Sequence, residues 1–129
     1  MTTQESILLI DTTGDTLLVA LVSADKVETR TSTEKRRHSE VLNIVAGDWV
    51  RVVDAYAVVV GGREGQSWTG SRVGVVAVKA WAFATGKPVI ILDSVDFSVV
   101  RDKYTTQQFA SIHDIQPEYS SEFKITIKN

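Results

Sequence analysis

The 129 residues hold 14 basic against 16 acidic groups, two histidines, no cysteine and 43% hydrophobic residues, a composition that fits one soluble globular domain. The absence of cysteine excludes disulfide scaffolds, thiolate zinc sites and cysteine nucleophiles, and sets a cytoplasmic expectation. A net charge of -2 supplies no basic field for a polyanion, so strong direct nucleic-acid binding is not expected.

The opening segment has no basic residue before its apolar run, which Asp11 cuts short, so it is read as a first strand, neither a secretory signal nor a membrane span. Ile7 to Ile10 is that strand, and Asp11-Thr12-Thr13-Gly14-Asp15 turns the chain. Thr16 to Ala24 predicts a second strand. Beyond the polar turn Ser23 to Lys26, Val27 stands alone among Glu28, Thr29, Arg30 and Thr31, the pattern of an exposed edge strand over 27–32.

From Thr33 or Glu34 the period becomes helical, with Val41, Leu42, Val45, Ala46 and Trp49 three and four apart and Gly47 weakening the end. Ala55 to Val60 is continuously apolar and β-rich, as in a central strand buried on both faces. A glycine loop leads into a second helix over about 69–85. Val73, Val76, Ala77, Ala80 and Ala84 form one apolar face of it, while Val75, Val78, Trp81 and Ala82 continue round the cylinder. Gly86 ends that helix, and Pro88 to Leu92 is a fifth strand. Ser94 to Asp102 begins a third helix, Tyr104 to Ile112 fits helix or strand, and Phe123 to Ile127 alternates like a short strand.

Strand, strand, strand, helix, strand, helix, strand is an antiparallel meander continued by parallel crossovers, the order of a ribonuclease-H-like α/β lobe. In such a lobe an acid at the carboxyl end of the first strand faces the ligand crevice, which makes Asp11 a candidate metal- or phosphate-facing group. Its alternative role is to accept backbone N–H groups in the Thr-Gly turn. A metal-dependent nuclease built on Asp11, Glu40 and Asp93, with Asp96 as a substitute, lacks a carboxylate after the fourth strand, which runs into Gly61. His38 and His113 lie too far apart in sequence to form a helical metal pair, and no metal site is expected. The loop from Gly61 to Gly74 has no Gly-Lys-Ser/Thr and is not a Walker loop; Ser67 or Thr69 is placed to cap the helix that follows.

Four segments in order resemble the TsaB family, also called YeaZ, the non-catalytic partner of the enzyme that makes threonylcarbamoyladenosine in tRNA. They are Ile7 to Thr13; Arg37-His38-Ser39-Glu40 with Leu42; Ser67-Trp68-Thr69-Gly70-Ser71-Arg72-Val73-Gly74; and Gly86-Lys87-Pro88-Val89 with Ser94. The chain departs from the family pattern at Glu64-Gly65-Gln66 and at Asn43-Ile44, and it lacks most of the family's second lobe.

The resemblance implies a single actin-like ATPase (ribonuclease-H-like) lobe, a five-stranded mixed sheet with helices packed on it. That lobe spans residues 1–97, and residues 98–129 are a remnant of the second lobe and a C-terminal tail of the same domain. It implies a cytoplasmic subunit, not an enzyme, that binds a TsaD-like protein as a heterodimer, with a TsaE-like ATPase as a further partner and a homodimer when alone. No cofactor is its own; ATP or ADP enters only in complex with partners. Asp11, Thr12 and Thr13 would be a vestigial phosphate-facing group, and Ser67, Trp68, Thr69, Gly70, Arg72 and Gly74 the family-motif loop. The alternatives are a self-associating scaffold without an enzyme partner and the nuclease.

The interface is expected on the two helices. It comprises His38, Val41, Leu42 and Val45 from the first, and Arg72, Val75, Val78, Lys79 and Ala82 from the second. The sheet covers one helix face and leaves Val75, Val78 and Ala82 over. On this reading Val75→Glu and Val78→Glu keep a folded chain and lose the partner.

Overall fold

The computed structural model describes residues 5–14, 16–33, 38–60 and 68–111, with the side chains of 38, 39 and 68–72 outside that description. Among the described residues nine elements follow one another: β1 (Ser6–Asp11), β2 (Leu17–Ser23), β3 (Val27–Ser32), α1 (His38–Ala46), α2 (Trp49–Val52), β4 (Ala55–Val59), α3 (Trp68–Thr85), β5 (Val89–Leu92) and α4 (Phe97–Thr105). The strands form one sheet in the order β3-β2-β1-β4-β5. The first three pair antiparallel, and β4 then lies parallel to both β1 and β5, with Ile7 opposite Ala55 and Ala57 opposite Ile90. The sheet is mixed, as its strand and helix order implies.

Period-two alternation divides each central strand between two cores. Leu8 and Ile10, Leu17 and Val19, Tyr56 and Val58 point to the side where α1 and α3 lie, and pack with Leu42, Ala46, Val75, Val78 and Ala82. Ile7 and Leu9, Ala20 and Val22, Ala55, Ala57 and Val59, Ile90 and Leu92 point to the other side, where α4 contributes Val100. Every residue of β4 is buried, which is why its sequence Ala-Tyr-Ala-Val-Val shows no polar alternation. Exposure of five of the six residues of β3 matches its reading as an edge strand.

The first helical segment is broken where one continuous helix was expected. Gly47 adopts φ +52° and donates its N–H to the Asn43 carbonyl at 3.0 Å, a left-handed helix stop, and Trp49 then starts the short α2. Arg30 reaches across from β3 to secure this corner. Its guanidinium lies 3.5 Å from the centre of the Trp49 ring, and Nη1 donates to the Val45 carbonyl at 2.9 Å.

At the far side of the sheet Asp96 starts α4 by accepting from the Ser98 and Val99 backbone N–H groups, both at 3.1 Å, and from the Ser98 hydroxyl at 2.9 Å. The Ser98 hydroxyl, then the Val99 amide, holds the Asp96 carboxyl below its ordinary pKa. A carboxyl with a depressed folded pKa contributes stability that is present above its unfolded value and vanishes as pH falls through the folded one. The Ser98 and Val99 amide resonances are therefore expected to titrate together, with a midpoint below that of an unstructured aspartate. A midpoint at or above that of a free aspartate would show that the cap does not form.

Of the segment 104–112, open to helix or strand in the sequence, residues 104–111 are described: they end α4, turn through Gln107 at φ +59° and set one antiparallel bridge, Val89 to Ala110. Phe123 to Ile127 lies outside the described residues.

Candidate functional site

The crevice end of the sheet carries the Asp11-Thr12-Thr13 turn. Asp11 Oδ1 accepts from the Thr13 backbone N–H at 2.9 Å and from the Thr13 hydroxyl at 2.6 Å, so of its two sequence readings the turn-satisfying one is realised. Thr12 is fully buried and faces α3, where its Oγ1 accepts from the Gly74 N–H at 2.9 Å. This contact joins positions 62 apart and fixes α3 directly over the end of β1.

Glycine at 74 makes that approach possible: a Cβ there would lie 2.9 Å from Thr12 Oγ1, 3.4 Å from Ile10 Cγ2 and 3.5 Å from Val58 Cγ2. A mid-helix glycine costs about 1 kcal/mol of helix propensity relative to alanine, and in an exposed helix the alanine would be the better residue. Here Gly74→Ala is expected to lower stability by about 1–3 kcal/mol in urea unfolding, since overpacking and a displaced buried hydrogen bond outweigh the propensity gain. An unchanged or raised midpoint would mean that α3 does not lie this close to β1.

The carboxylates weighed for a nuclease do not converge. Asp11 is engaged by Thr13, Asp96 caps α4, Glu40 is exposed on α1, and Asp93 follows β5, two strands away from β1. Among the described residues no three histidine or acidic groups are grouped to hold a metal. Between α4 and the β2–β3 turn, a hollow of ≈ 90 Å³ lined by Glu5, Arg101 and Tyr104 adjoins an open one of ≈ 430 Å³ along Ser23 to Val27. Neither is lined by any of those four acids.

The expected interface on α3 is turned round. Val75, Val78 and Ala82 are 2%, 0% and 0% exposed, packed on the sheet, and Leu42 of α1 is likewise buried. The other apolar face is split: Val76 is 62% exposed, with Ala80 and Ala84 exposed beside it, while Val73 and Ala77 are half-buried against the core, and Phe83, in neither expected face, is 82% exposed. Gly74 lies on the inner face, where the lack of a Cβ lets its N–H reach Thr12 Oγ1 at the end of β1. On a cylinder apolar all round, hydrophobic periodicity alone does not register that choice.

From α1, Ile44 is 76% exposed, and this helix packs beside α3. The other expected positions are mixed. Val41, Val45 and Lys79 are half-buried, and the side chains of His38 and Arg72 lie outside the described residues. The family-motif loop is affected in the same way: Ser67 and the side chains of Trp68, Thr69 and Gly70 are not described, while Gly74 is. Val76, Phe83 and Ile44 are thus exposed apolar residues of α3 and α1 that the expected interface did not include.

A β3-β2-β1-β4-β5 mixed sheet with α1 and α3 on one face and α4 on the other is one ribonuclease-H-like lobe of the kind found in actin-like folds. Among solved structures it is similar to an uncharacterised protein with similarity to peptidase YeaZ from Pseudomonas aeruginosa, with a TM-score of 0.61 at 24% identity. It is also similar to YeaZ from Pseudomonas aeruginosa, with a TM-score of 0.57 at 22% identity. Each likeness covers 81% of this chain and 50% of the other, so the chain spans about half the length of these neighbours. What they share with it at such identities is the fold. No protein-family model and no curated protein matches the sequence.

No helix among the described residues is long and apolar enough to cross a membrane.

Proposed function

We propose that the chain is a non-catalytic, TsaB-like (YeaZ-like) subunit that binds and supports a TsaD-like enzyme in threonylcarbamoyl transfer to the adenosine next to the tRNA anticodon. The observation that carries this reading is the outward apolar surface of α3 and α1, with Phe83 82%, Ile44 76% and Val76 62% exposed on helices that already bury their inner faces. Large apolar side chains exposed on neighbouring helices suit a protein contact, and burying each is worth about 1.5–3 kcal/mol. The YeaZ-like fold and the motif from Ser67 to Gly74 support the choice of partner. In this role the turn at Asp11 is structural, ATP or ADP belongs to the assembled complex, and a TsaE-like ATPase is a further member of it.

Phe83→Glu and Ile44→Glu are expected to fold as the parent does, with unchanged circular dichroism and urea midpoint, yet to lose co-purification with a TsaD-like protein. Threonylcarbamoyladenosine in tRNA should fall with the complex. Wild-type recovery of the partner by both variants would remove this surface, and the reading with it.

A further inference from the structure

Among the described residues β3 forms one edge of the sheet. We propose that the outer edge of β3 pairs antiparallel with β3 of a second copy about a two-fold axis through Thr29, joining two five-stranded sheets into one. The argument begins with the direction of the backbone groups. Ser23 donates its N–H to the Lys26 carbonyl at 3.0 Å, closing the β2–β3 turn, and the register then runs Leu21 to Glu28 and Val19 to Arg30. Hydrogen-bonded pairs alternate along an antiparallel ladder, so Lys26, Glu28 and Arg30 turn their backbone groups to β2, and Val27, Thr29 and Thr31 turn theirs outward. Among the described residues no strand lies beyond them.

A second antiparallel strand must place outward residues opposite outward residues, which restricts the registers to steps of two. Charge then selects among these. Centred on Glu28, the pairing sets Glu28 against its own copy and Lys26 against Arg30; centred on Arg30, it sets two guanidinium groups face to face. Centred on Val27, it matches Lys26 with Glu28 but sets only Val27 of the strand against the strand of the second copy. Centred on Thr29, it overlaps 27–31 in full and forms doubly bonded pairs Val27–Thr31, Thr29–Thr29 and Thr31–Val27. Twice over, it sets Glu28 opposite Arg30 of the second copy at the closer, non-hydrogen-bonded positions.

The partners for that contact are already held in place. Arg30 is pinned over Trp49 and to the Val45 carbonyl, so little side-chain freedom is lost on pairing, and Glu28 lies 3.3 Å from Lys26 on the same exposed face. Space permits the junction too. Because α1 rests on β2 and β3 alike, the two copies of α1 would sit about two strand spacings apart, roughly 10 Å, an ordinary distance between packed helices. The alternating charges of β3 thus act as a register code: they repel at the two registers next to the Thr29-centred one, and of the two registers that attract only this one overlaps the strand over 27–31.

Sedimentation equilibrium of the 129-residue chain tests this directly. A dimer is expected that weakens with salt, that Glu28→Lys weakens by about tenfold or more, and that Phe83→Glu leaves unchanged within about twofold. Thr29→Pro removes an outward N–H without touching the bond ladder to β2 and should abolish the dimer. Cysteine placement reads the register, because hydrogen-bonded antiparallel pairs bring Cα atoms to about 5.5 Å, within disulfide range. Thr29→Cys should cross-link to its own copy under mild oxidation, and Thr31→Cys should not. This comparison decides the matter even if the proline variant fails to fold. A chain monomeric at millimolar concentration, a dimer lost in Phe83→Glu but kept in Thr29→Pro, or equal cross-linking at both cysteines would each overturn the proposal.

Discussion

Val78→Glu is expected to leave no cooperatively folded protein at 25 °C. Val78 is fully buried in the cluster of Leu8, Ile10, Leu42, Tyr56 and Val58, whose members among the described residues are all hydrophobic and offer a carboxylate no charge partner. An unpaired ionised group in such a place costs several kcal/mol, and neutralising it costs a large pKa shift instead; either is comparable with the total stability of a small domain, about 5–15 kcal/mol. Val75→Glu, at 2% exposure, should behave similarly. Both variants were suited to a partner-binding test only while these residues were read as surface. Far-UV circular dichroism and urea titration check the point, with Phe83→Glu as the folded control. If Val78→Glu unfolds cooperatively within about 1 kcal/mol of the parent, the helix is rotated from the orientation described.

Tyr56 is the other position of large effect. It is fully buried in the all-apolar β4, its ring centre is 5.9 Å from that of Trp81, and its hydroxyl donates to the Val50 carbonyl at 2.8 Å. The Thr85 hydroxyl is 3.2 Å away but directs its own proton to the Trp81 carbonyl at 2.8 Å. One side chain therefore ties β4 to α2 and to the last turn of α3. Tyr56→Ala is expected to cost about 3–5 kcal/mol through the cavity it leaves. Tyr56→Phe should cost about 1–3 kcal/mol, since the ring stays and the Val50 carbonyl loses its donor. Equal losses for the two variants in urea unfolding would show that the ring contributes no packing.

How far the site could be read in advance depended on whether the information was local. The Asp11 turn lay within three residues, and both its candidate roles were visible. The choice between them required the Thr13 hydroxyl to be seen 2.6 Å from Oδ1. Gly74 signalled by its cost, because a glycine inside a helix asks for a packing reason, but the reason is Thr12, 62 positions away.

Strand identities and their order followed from the sequence by itself, because β-branched runs, turn residues and the switch from period two to period 3.6 are properties of short windows. The exposed character of β3 and the glycine stop at Gly86, with φ +73°, were local in the same sense, whereas Gly47, expected only to weaken its helix, stops it at φ +52°. Tertiary structure alone decided which side of α3 faces the sheet. Val75, Val78 and Ala82 are no more apolar than Val76, Ala80 and Phe83, and the close approach of Gly74 to Thr12 at the end of β1 goes with the face that lies inside. It also decided that Arg30, an exposed-strand residue by pattern, stacks on Trp49 across the sheet edge. Such pairings depend on distance in space, and hydrophobic periodicity along the chain contains no term for it.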